Sequence, residues 1–480
     1  MSGTDSKMDI NEVFRGGGRS IEFLDEINKA SIVMLDKAQI LPHDIARTIA
    51  RGIAKVIGDE RSGTPRKSAD YPDYEPRLIA AAGPEASRLH TGRSRQDIAS
   101  TIARMNLRDG LLKEIDALMA ARDALLTNAA KHTKTIIPAY THGVQAQPTT
   151  YAHYLLALAS MLARQTARLF DAYGRINRNP LGSAALATSS FPLDRGHLSS
   201  LLGFEGLLEN AYDANHLAPV DSALEVAAAL SIAAVQIGQF AQDIHAQYAE
   251  PVPWFVLAAG ELTGVSSIMP QKRNPAALEQ LRAQASLMLG DMHGVLLLAH
   301  NTRIGMFDYR LYDPVPCTRP LLVLDLFRQV VNGLAVNPER ALAEVRADYS
   351  TTTEIADALL QRANVPFRIG HHFASQLTDY GRGHGLKLHE IPYAEAARIY
   401  AAGTQTALPL TAADFAEIIS AEYMVFGRKG TGGPQLDEVG RMLAAERAQA
   451  ATDRERLADS TAQVARAAAA LQVAFAALAK

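Results

Sequence analysis

The feature that most constrains this chain is a set of long segments whose apolar residues repeat every three to four positions. In PVDSALEVAAALSIAAVQIGQFAQDIHAQYAE (219–250), the polar residues Glu225, Gln236 and Asp243 fall between apolar residues spaced in this way. Such spacing places an apolar stripe along one face of a helix and predicts a long amphipathic helix. The pattern recurs in four other segments, at 107–131, 150–177, 275–299 and 436–480. Long helices with few strand signals predict an all-α protein built around a helix bundle.

The composition is that of an ordinary globular protein. The chain has 480 residues, of which 48% are apolar and 21% charged, so it can bury a large core in two or three domains. A net charge of -3 without any block of like charges argues against a nucleic-acid surface and against a polybasic membrane patch. An acidic ligand must therefore be bound by a local group of residues.

Cysteine content and apolar runs indicate the compartment. The single cysteine, Cys317, excludes a disulfide framework within the chain and a cysteine-based metal cluster, which fits a reducing compartment. The N-terminal stretch MSGTDSKMDINEVFRGGGRS has no apolar core of the kind that an export signal requires. Apolar stretches such as 155–170 are interrupted by Arg and Gln before they reach the roughly 20 residues that a bilayer demands. We therefore expect a cytoplasmic protein without a membrane-spanning segment.

No metal or organic cofactor is predicted. The histidines of HHF (371–373) and the pair His384 and His389 lack the HExxH spacing and have no cysteine partners. The glycine runs GGG (17–19) and GTGGP (430–434) do not join a strand to a helix, so they are interpreted as turns and not as nucleotide-binding loops.

Polar chemistry is expected in the loops between the helices, where Gly and Pro are dense. Four loop-like stretches combine such breaks with hydroxyl, amide and charged side chains: RLHTGRSRQD (88–97), AYTHGVQAQP (139–148), NPLGSAALA (179–187) and GVSSIMPQKRNP (264–275). Each stretch resembles a signature region of the fumarase/aspartase superfamily. The strings HTGRSR, NPLGS and SSIMPQKRNP are most similar to the argininosuccinate lyase branch, and the resemblance extends from about residue 30 to beyond residue 430.

The resemblance implies a fold, an assembly and a reaction. It implies three helical parts, at 1–92, 93–341 and 342–480, with a central bundle that associates into a homotetramer whose active sites combine loops from different subunits. The implied reaction is elimination of fumarate from an N-substituted L-aspartate, with cleavage of argininosuccinate into arginine and fumarate, a step of arginine biosynthesis, as the parent activity. The implied ligand is a small molecule, without nucleic acid or membrane.

The reaction needs a base for a weakly acidic proton and donors for the doubly negative carbanion that forms beside a carboxylate. By resemblance the base is Ser266, activated by loop amides and nearby cations, while Lys272 and Asn274 supply charge and a fixed donor. The resemblance also pairs His142 with Glu279, which raises the basicity of the imidazole and orients it.

Further residues are implied to bind substrate. Ser94, Arg95 and Gln96 would contact a substrate carboxylate, for which the planar fork of arginine is suited. The family usually has Asn where this chain has Gln96, so this contact is altered. The other implied binding residues are Thr141, Gln147, Met269, Tyr309 and Arg310.

The amine end of the site departs from the family. The N-terminal Ser-Ile-x-x-Asp element, the string STYNKDLQ and the Asp-Arg-Asp cluster are replaced by VFRGGGRSIEFLDE, IGMFDYRLYD (304–313) and NAYDANHLAPVD (210–221). Two interpretations stay open: nearby residues restore arginine binding, or the chain is a paralogue that cleaves another N-substituted aspartate, such as an aminocarboxylic acid of the ethylenediamine-disuccinate type. The second interpretation rests on a set of residues in the two divergent stretches that is rich in arginines and could receive a second carboxylate, namely Arg15, Arg19, Arg303, Tyr309, Arg310 and Asp313.

A third interpretation, from another functional class, is a non-catalytic structural homologue, since the superfamily includes lens proteins. A silent copy would be free to lose its catalytic residues. This chain retains Ser266, His142 and Lys272, so we expect an enzyme.

Overall fold

The computed structural model describes residues 19–63, 66, 68–248, 252–308 and 318–480. Within these ranges, helices follow one another along the chain: α1 (Ser20–Lys37), α2 (His43–Ser62), α3 (Tyr71–Ala82), α4 (Arg95–Lys131), α5 (Tyr151–Ile176), α6 (Arg195–Leu201), α7 (Ala211–His216), α8 (Ala218–Tyr248), α9 (Ala276–Ala299), α10 (Arg319–Gly333), α11 (Pro338–Ala347), α12 (Thr353–Ala363), α13 (Phe367–His384), α14 (Tyr393–Thr404), α15 (Ala412–Ile418), α16 (Ala421–Phe426) and α17 (Leu436–Ala479). The prediction of an all-α fold is confirmed.

In the described part of the chain, the strands are two or three residues long and form four antiparallel pairs. They are β1 (Ile136–Ile137) with β4 (Thr149–Thr150), β2 (Tyr140–Thr141) with β3 (Val144–Gln145), β5 (Phe255–Leu257) with β8 (Leu334–Val336), and β6 (Gly264–Val265) with β7 (Arg273–Asn274). These pairs lie in the connections between helices and not in a sheet of their own, so they shape the loops of the bundle.

Four of the five periodic segments match helices α5, α8, α9 and α17 to within two residues. The fifth, predicted from residue 107, begins twelve residues earlier, at Arg95. Ser94 caps this helix: its hydroxyl accepts a hydrogen bond from the Gln96 amide (3.0 Å), and Asp97 accepts one from the Ser94 amide (2.9 Å). The periodicity failed over 95–106 because polar residues are buried together with the apolar ones, so that the two kinds do not separate onto two faces; the buried polar residues are Asp97, Ser100, Thr101 and Arg104.

The central bundle consists of α4, α5, α8, α9 and α10, which share one hydrophobic core. Side-chain contacts give the direction of each helix. Arg104 on the first part of α4 donates to the carbonyls of Ile176 (2.9 Å) and Ala218 (3.0 Å), so the end of α5 and the start of α8 lie there. At the other end, Tyr154 bonds Asp243 (2.7 Å), which places the start of α5 beside the end of α8.

The directions of α9 and α10 follow from two further contacts. Arg282 on α9 donates to Gln242 near the end of α8 (2.9 Å). Asn128 near the end of α4 donates to Asn332 near the end of α10 (3.2 Å). The last turns of α4, α8 and α10 and the first turns of α5 and α9 therefore lie together at one end of the bundle.

Two of the smaller cores formed by the described residues flank the bundle. One packs α1, α2 and α3 against the start of α4, and the C-terminal part of α17 closes it with Leu471, Phe475 and Leu478. The other lies within residues 355–419. Because α17 runs from the central core, where Val439 is buried, to the N-terminal core, the last helix belongs to both. The three domain boundaries drawn from the sequence stay a prediction.

Of the helices that the structure describes, α8 and α17 are long and apolar enough to cross a membrane by length and composition. The expectation that no stretch reaches this length is therefore wrong for these two. Helix α8 packs along α9 and contributes Ile237, Phe240 and Ile244 to the central core. A core helix of a bundle has this composition because neighbouring helices cover it on several sides.

Candidate active site

The signature stretches lie at opposite ends of the bundle. The HTGRSR stretch immediately precedes α4, and the NPLGS stretch follows α5; we call this end, with α7 and the 301–308 loop, the Ser94 end. The YTH stretch follows α4, and the SSIMPQKRNP stretch precedes α9; we call this the Ser266 end. Helix α4 has 37 residues and so spans about 55 Å at 1.5 Å per residue. One copy of the chain therefore keeps Ser94 and Ser266 far apart.

At the Ser94 end, a buried carboxylate joins two of the signature loops. Asp97 is fully buried and accepts hydrogen bonds through Oδ2 from the amides of Gly182 (2.9 Å) and Ala184 (3.0 Å), while its Oδ1 accepts from Ser94. Burial raises the pKa of Asp97 to about 6, although the hydrogen bonds from these amides oppose that shift. The arrangement fixes Ser94 relative to the NPLGS loop.

Asn215 joins the same loops from α7. Its Nδ2 donates to Ser183 Oγ (3.0 Å) and to the carbonyls of Ala184 (2.7 Å) and Ala185 (2.9 Å). The main-chain carbonyl of Asn215 accepts a hydrogen bond from Gln96 Nε2 (3.0 Å). The Gln96 amide thus reaches α7, and the methylene that Gln has beyond Asn lengthens that reach. Sequence reasoning missed Asn215, because one asparagine in a polar stretch carries no signal of contacts at distant positions.

Arg95 is paired in this structure. Its guanidinium binds Asp70 in a two-point interaction, through Nε to Oδ1 (2.7 Å) and through Nη2 to Oδ2. The fork that was expected to receive a substrate carboxylate thus faces a carboxylate of the protein. Binding a substrate at Arg95 requires that this pair open or that the substrate approach the outer side of the guanidinium.

The neighbouring residues of the same stretch are structural. Arg93 is buried and donates to Asn28 (2.9 Å) and Ser31 (3.1 Å) on α1. The His90 ring stacks on Tyr71 with centroids 4.5 Å apart. Burial, together with the charge of Arg93, lowers the pKa of His90 to about 4, so the imidazole is neutral at physiological pH. These contacts hold the loop against the N-terminal core.

At the Ser266 end, His142 occupies the tip of a two-residue hairpin. β2 and β3 pair Tyr140 with Gln145, and the turn residues His142 and Gly143 both have positive φ, 56° and 76°. This is the geometry of a type I′ turn, which suits the twist of a hairpin. Gln145 donates to Ser350 Oγ (3.2 Å), which ties the hairpin to the chain after α11. Thr141, His142 and Gln147 are exposed.

The Ser266 loop is the tip of the β6–β7 hairpin. The Ser266 hydroxyl accepts a hydrogen bond from the Met269 amide (3.1 Å), and the Lys272 amide donates to the Met269 carbonyl (3.0 Å). The side chains of Met269 and Lys272 are exposed, and Asn274 is half-buried in β7. The loop is thus a backbone turn organised around Ser266 that presents its side chains outward.

Glu279 lies in the first turn of α9, where it is exposed. Among the described residues, no hydrogen bond or ion pair joins it to His142, although both belong to the same end of the bundle. Tyr309, Arg310, Asp313 and Arg15 lie outside the described residues. Within the described ranges no group of three His, Cys, Asp or Glu side chains could hold a metal ion.

Comparisons with known proteins identify the family of this chain. A model of the lyase family matches residues 40–290, and one of the argininosuccinate lyase C-terminal region matches residues 349–426. Argininosuccinate lyase of Methanospirillum hungatei JF-1 is 33% identical over 452 residues, which cover 91% of this chain and 89% of that protein. The chain belongs to the argininosuccinate lyase branch of the fumarase/aspartase superfamily.

Other relatives of this argininosuccinate lyase-like chain extend the comparison. Argininosuccinate lyase 1 of Shouchella clausii is 32% identical over 447 residues, covering 91% of this chain and 89% of that protein. A solved structure of EDDS lyase with formate has a TM-score of 0.87 and 30% identity, and covers 96% of this chain and 92% of its own. Membership of this branch makes the chain a carbon–nitrogen lyase that releases fumarate.

Proposed function

We propose that this lyase cleaves argininosuccinate into arginine and fumarate, in a homotetramer whose active sites combine the Ser94 end of one copy with the Ser266 end of another. One observation carries the shared site: the loop with Ser266 and the stretch with Ser94, Arg95 and Gln96 lie at opposite ends of α4, which spans about 55 Å. The base must come within about 3 Å of the proton that it removes, and a small substrate held there cannot also reach the Ser94 stretch of the same copy. Only different copies of the chain can bring them that close.

The chemistry assigns Ser266 as the base. The Met269 amide that donates to its hydroxyl oxygen favours the alkoxide over the neutral form, as hydrogen bonding to a charged form does. Removal of the proton beside the substrate carboxylate leaves two negative charges, for which Lys272 and the Asn274 amide provide a cation and a donor. His142, oriented by Glu279, donates a proton or positions the carboxylate.

The remaining residues bind the substrate. Ser94, Gln96, Thr141 and Gln147 offer hydroxyl and amide donors for its carboxylates, and Arg95 joins them when it exchanges Asp70 for a substrate carboxylate. In this exchange, the ion pair of Arg95 with Asp70 is replaced by an ion pair of Arg95 with the substrate. Tyr309 and Arg310 complete the proposed set of substrate-binding residues, and no metal or organic cofactor takes part.

Exposed apolar side chains on the bundle support the assembly. Ile232 and Val235 on α8 and Leu287 and Leu297 on α9 are between 40% and 73% exposed. Exposed apolar side chains on two helices that pack together favour a protein–protein interface when they form one patch. Packing copies through α8 and α9 covers these residues and sets opposite bundle ends side by side.

We also assign the enzyme to the cytoplasm and to arginine biosynthesis.

A second candidate is cleavage of an aminocarboxylic acid of the ethylenediamine-disuccinate type, favoured by the TM-score of 0.87 to EDDS lyase. Not all of the arginines suggested from the sequence are free to bind the second carboxylate of such a substrate. Arg19 is already paired with Glu22 (2.6 Å) and Asp109 (2.8 Å). Asp109 lies 14 residues after Arg95, about 21 Å along α4. Arg303 remains available on the 301–308 loop, where it is exposed.

The test is a steady-state assay of fumarate release from argininosuccinate by the wild type and by Ser266→Ala. Removal of the base lowers kcat by about a thousandfold or more. Ser267→Ala is the matched control, since it removes the adjacent hydroxyl and leaves the base in place. Full activity in Ser266→Ala would show that another group is the base. Absence of turnover in the wild type with argininosuccinate and with ethylenediamine-disuccinate would favour the structural homologue.

A further inference from the structure

Large apolar side chains are exposed beside the Ser94 end. Ile304, Met306 and Phe307 on the 301–308 loop are 53%, 49% and 46% exposed. Tyr212 on α7 and Leu217, which follows it, are each 43% exposed. Isolated exposed apolar residues are common, but a contiguous group marks an interface or a ligand-binding surface. We call these five residues the apolar wall.

The wall adjoins the proposed carboxylate-binding groups. A Cβ at Gly305, whose φ is 91°, would lie 3.8 Å from His216 Nδ1, so the 301–308 loop passes against α7. The Tyr212 and His216 rings are 4.9 Å apart. His216 follows Asn215, whose carbonyl accepts from Gln96. Gln96, α7 and the wall are therefore neighbours, so a substrate held at Gln96 by its succinyl half has the wall within reach.

Among the described residues, the charges near the wall are of both signs. Arg303 and Asp308 are exposed on the loop itself. Asp213 on α7 is half-buried and interacts with the positive charge of the buried Arg104. A guanidinium needs several acceptors in a fixed geometry. The carboxylate nearest to the wall on α7 is thus partly neutralised by a cation of the protein, while hydrocarbon surface is abundant.

We propose that the apolar wall binds the amine half of the substrate and selects N-substituted aspartates whose nitrogen carries a hydrocarbon or aromatic group. The inference rests on the proposed function, because it takes the succinyl half to be bound at the Ser94 end. The wall thus extends the lyase to substrates beyond argininosuccinate. Contact of an apolar substituent with such a surface raises kcat/KM by roughly tenfold or more over a substituent too short to reach it.

The experiment measures kcat/KM for fumarate release from N-(2-phenylethyl)-L-aspartate, N-methyl-L-aspartate and argininosuccinate. We expect the phenylethyl compound to exceed the methyl compound by roughly tenfold or more and to equal or exceed argininosuccinate. This comparison uses three substrates with the wild type alone, so it does not depend on the folding of a variant. A phenylethyl-to-methyl ratio near one, or turnover of argininosuccinate alone, would overturn the wall proposal and leave the proposed function intact. Release of fumarate from none of the three would contradict both.

Variants assign the selectivity to the wall. Phe307→Asp and Met306→Asp should each reduce the phenylethyl-to-methyl ratio by about threefold to tenfold with little change for the methyl compound. Leu360→Asp is the matched control, because Leu360 is 43% exposed on α12, within the C-terminal part. The native mass of each variant is measured alongside. A ratio unchanged in both wall variants, or reduced equally in Leu360→Asp, would overturn the assignment.

Discussion

Asp97 and Gly182, 85 residues apart in the chain, are joined by a hydrogen bond of 2.9 Å from the Gly182 amide to a fully buried carboxylate oxygen. This bond and that from Ala184 close the NPLGS loop onto the start of α4. The position of Ser94, which is capped by the same carboxylate, therefore depends on one acidic side chain.

Replacing Asp97 with Asn should destabilise the protein by about 1–3 kcal/mol at neutral pH, because one amide NH₂ must then face backbone N–H donors. The effect should depend on pH. Since the pKa of Asp97 is raised in the folded state, to about 6, its contribution to the free energy of unfolding is fully present below about pH 4 and falls as the pH rises to about 6. Urea unfolding of both proteins between pH 4 and pH 8 measures this.

We expect the stability gap between the wild type and Asp97→Asn to be larger at pH 4 than at pH 7. The reason is that only the wild type has a carboxyl group at position 97. As the pH rises, this group ionises and the free energy of unfolding falls by about 3 kcal/mol at most. A gap that stays constant with pH would show that Asp97 does not titrate in this range.

The Asn215→Ala variant tests the link between α7 and the two loops. It leaves three acceptors without their donor, which should lower the free energy of unfolding by about 2–3 kcal/mol. It should also raise KM, because α7 is then no longer tied to the NPLGS loop and the main-chain carbonyl of residue 215 that holds Gln96 can shift. Asn210→Ala is the control on the same helix, since Asn210 only caps α7 by accepting from Tyr212 and Asp213. Its loss should cost about 1 kcal/mol. Equal KM values for the two variants would contradict the role given to Asn215.

The buried guanidinium of Arg122 anchors α17 on α4. It binds Glu446 (2.6 Å) and Asp453 (2.8 Å) and is itself 0% exposed. Arg122→Leu should lower the free energy of unfolding by about 3–5 kcal/mol, because two carboxylates lose their partner. The neighbouring surface pair of Arg454 and Asp123 joins the same helices, and Arg454→Ala should cost less than about 1 kcal/mol. Thermal unfolding compares the two, and similar losses would refute the distinction.

Mixed assemblies test whether active sites are shared between copies. Ser266→Ala and Gln96→Ala proteins, each of low activity, are mixed under conditions that exchange subunits. If a site takes Gln96 from one copy and Ser266 from another, some sites in the mixture carry both native residues and activity returns to about a quarter of the wild-type value at most. Activity that stays at the average of the two variants would place both residues in one copy, and a monomeric native mass would exclude sharing.

The helices and the signature loops could be predicted because both depend on neighbours in the chain. The spacing of apolar residues identified α5, α8, α9 and α17, and the string SSIMPQKRNP identified the loop of Ser266. At the start of α4, buried polar residues such as Arg104 obscure the apolar spacing. The predicted start of this helix was therefore twelve residues too far along the chain.

Contacts between distant segments were decided by the tertiary structure alone. The pairing of Arg95 with Asp70, the bond from Gln96 to Asn215 and the engagement of Arg19 by Asp109 depend on which helices pack together. The same holds for the separation of Ser94 from Ser266. A string of residues specifies the chemistry that a loop can perform, but a rigid helix of 37 residues decides which loops can meet.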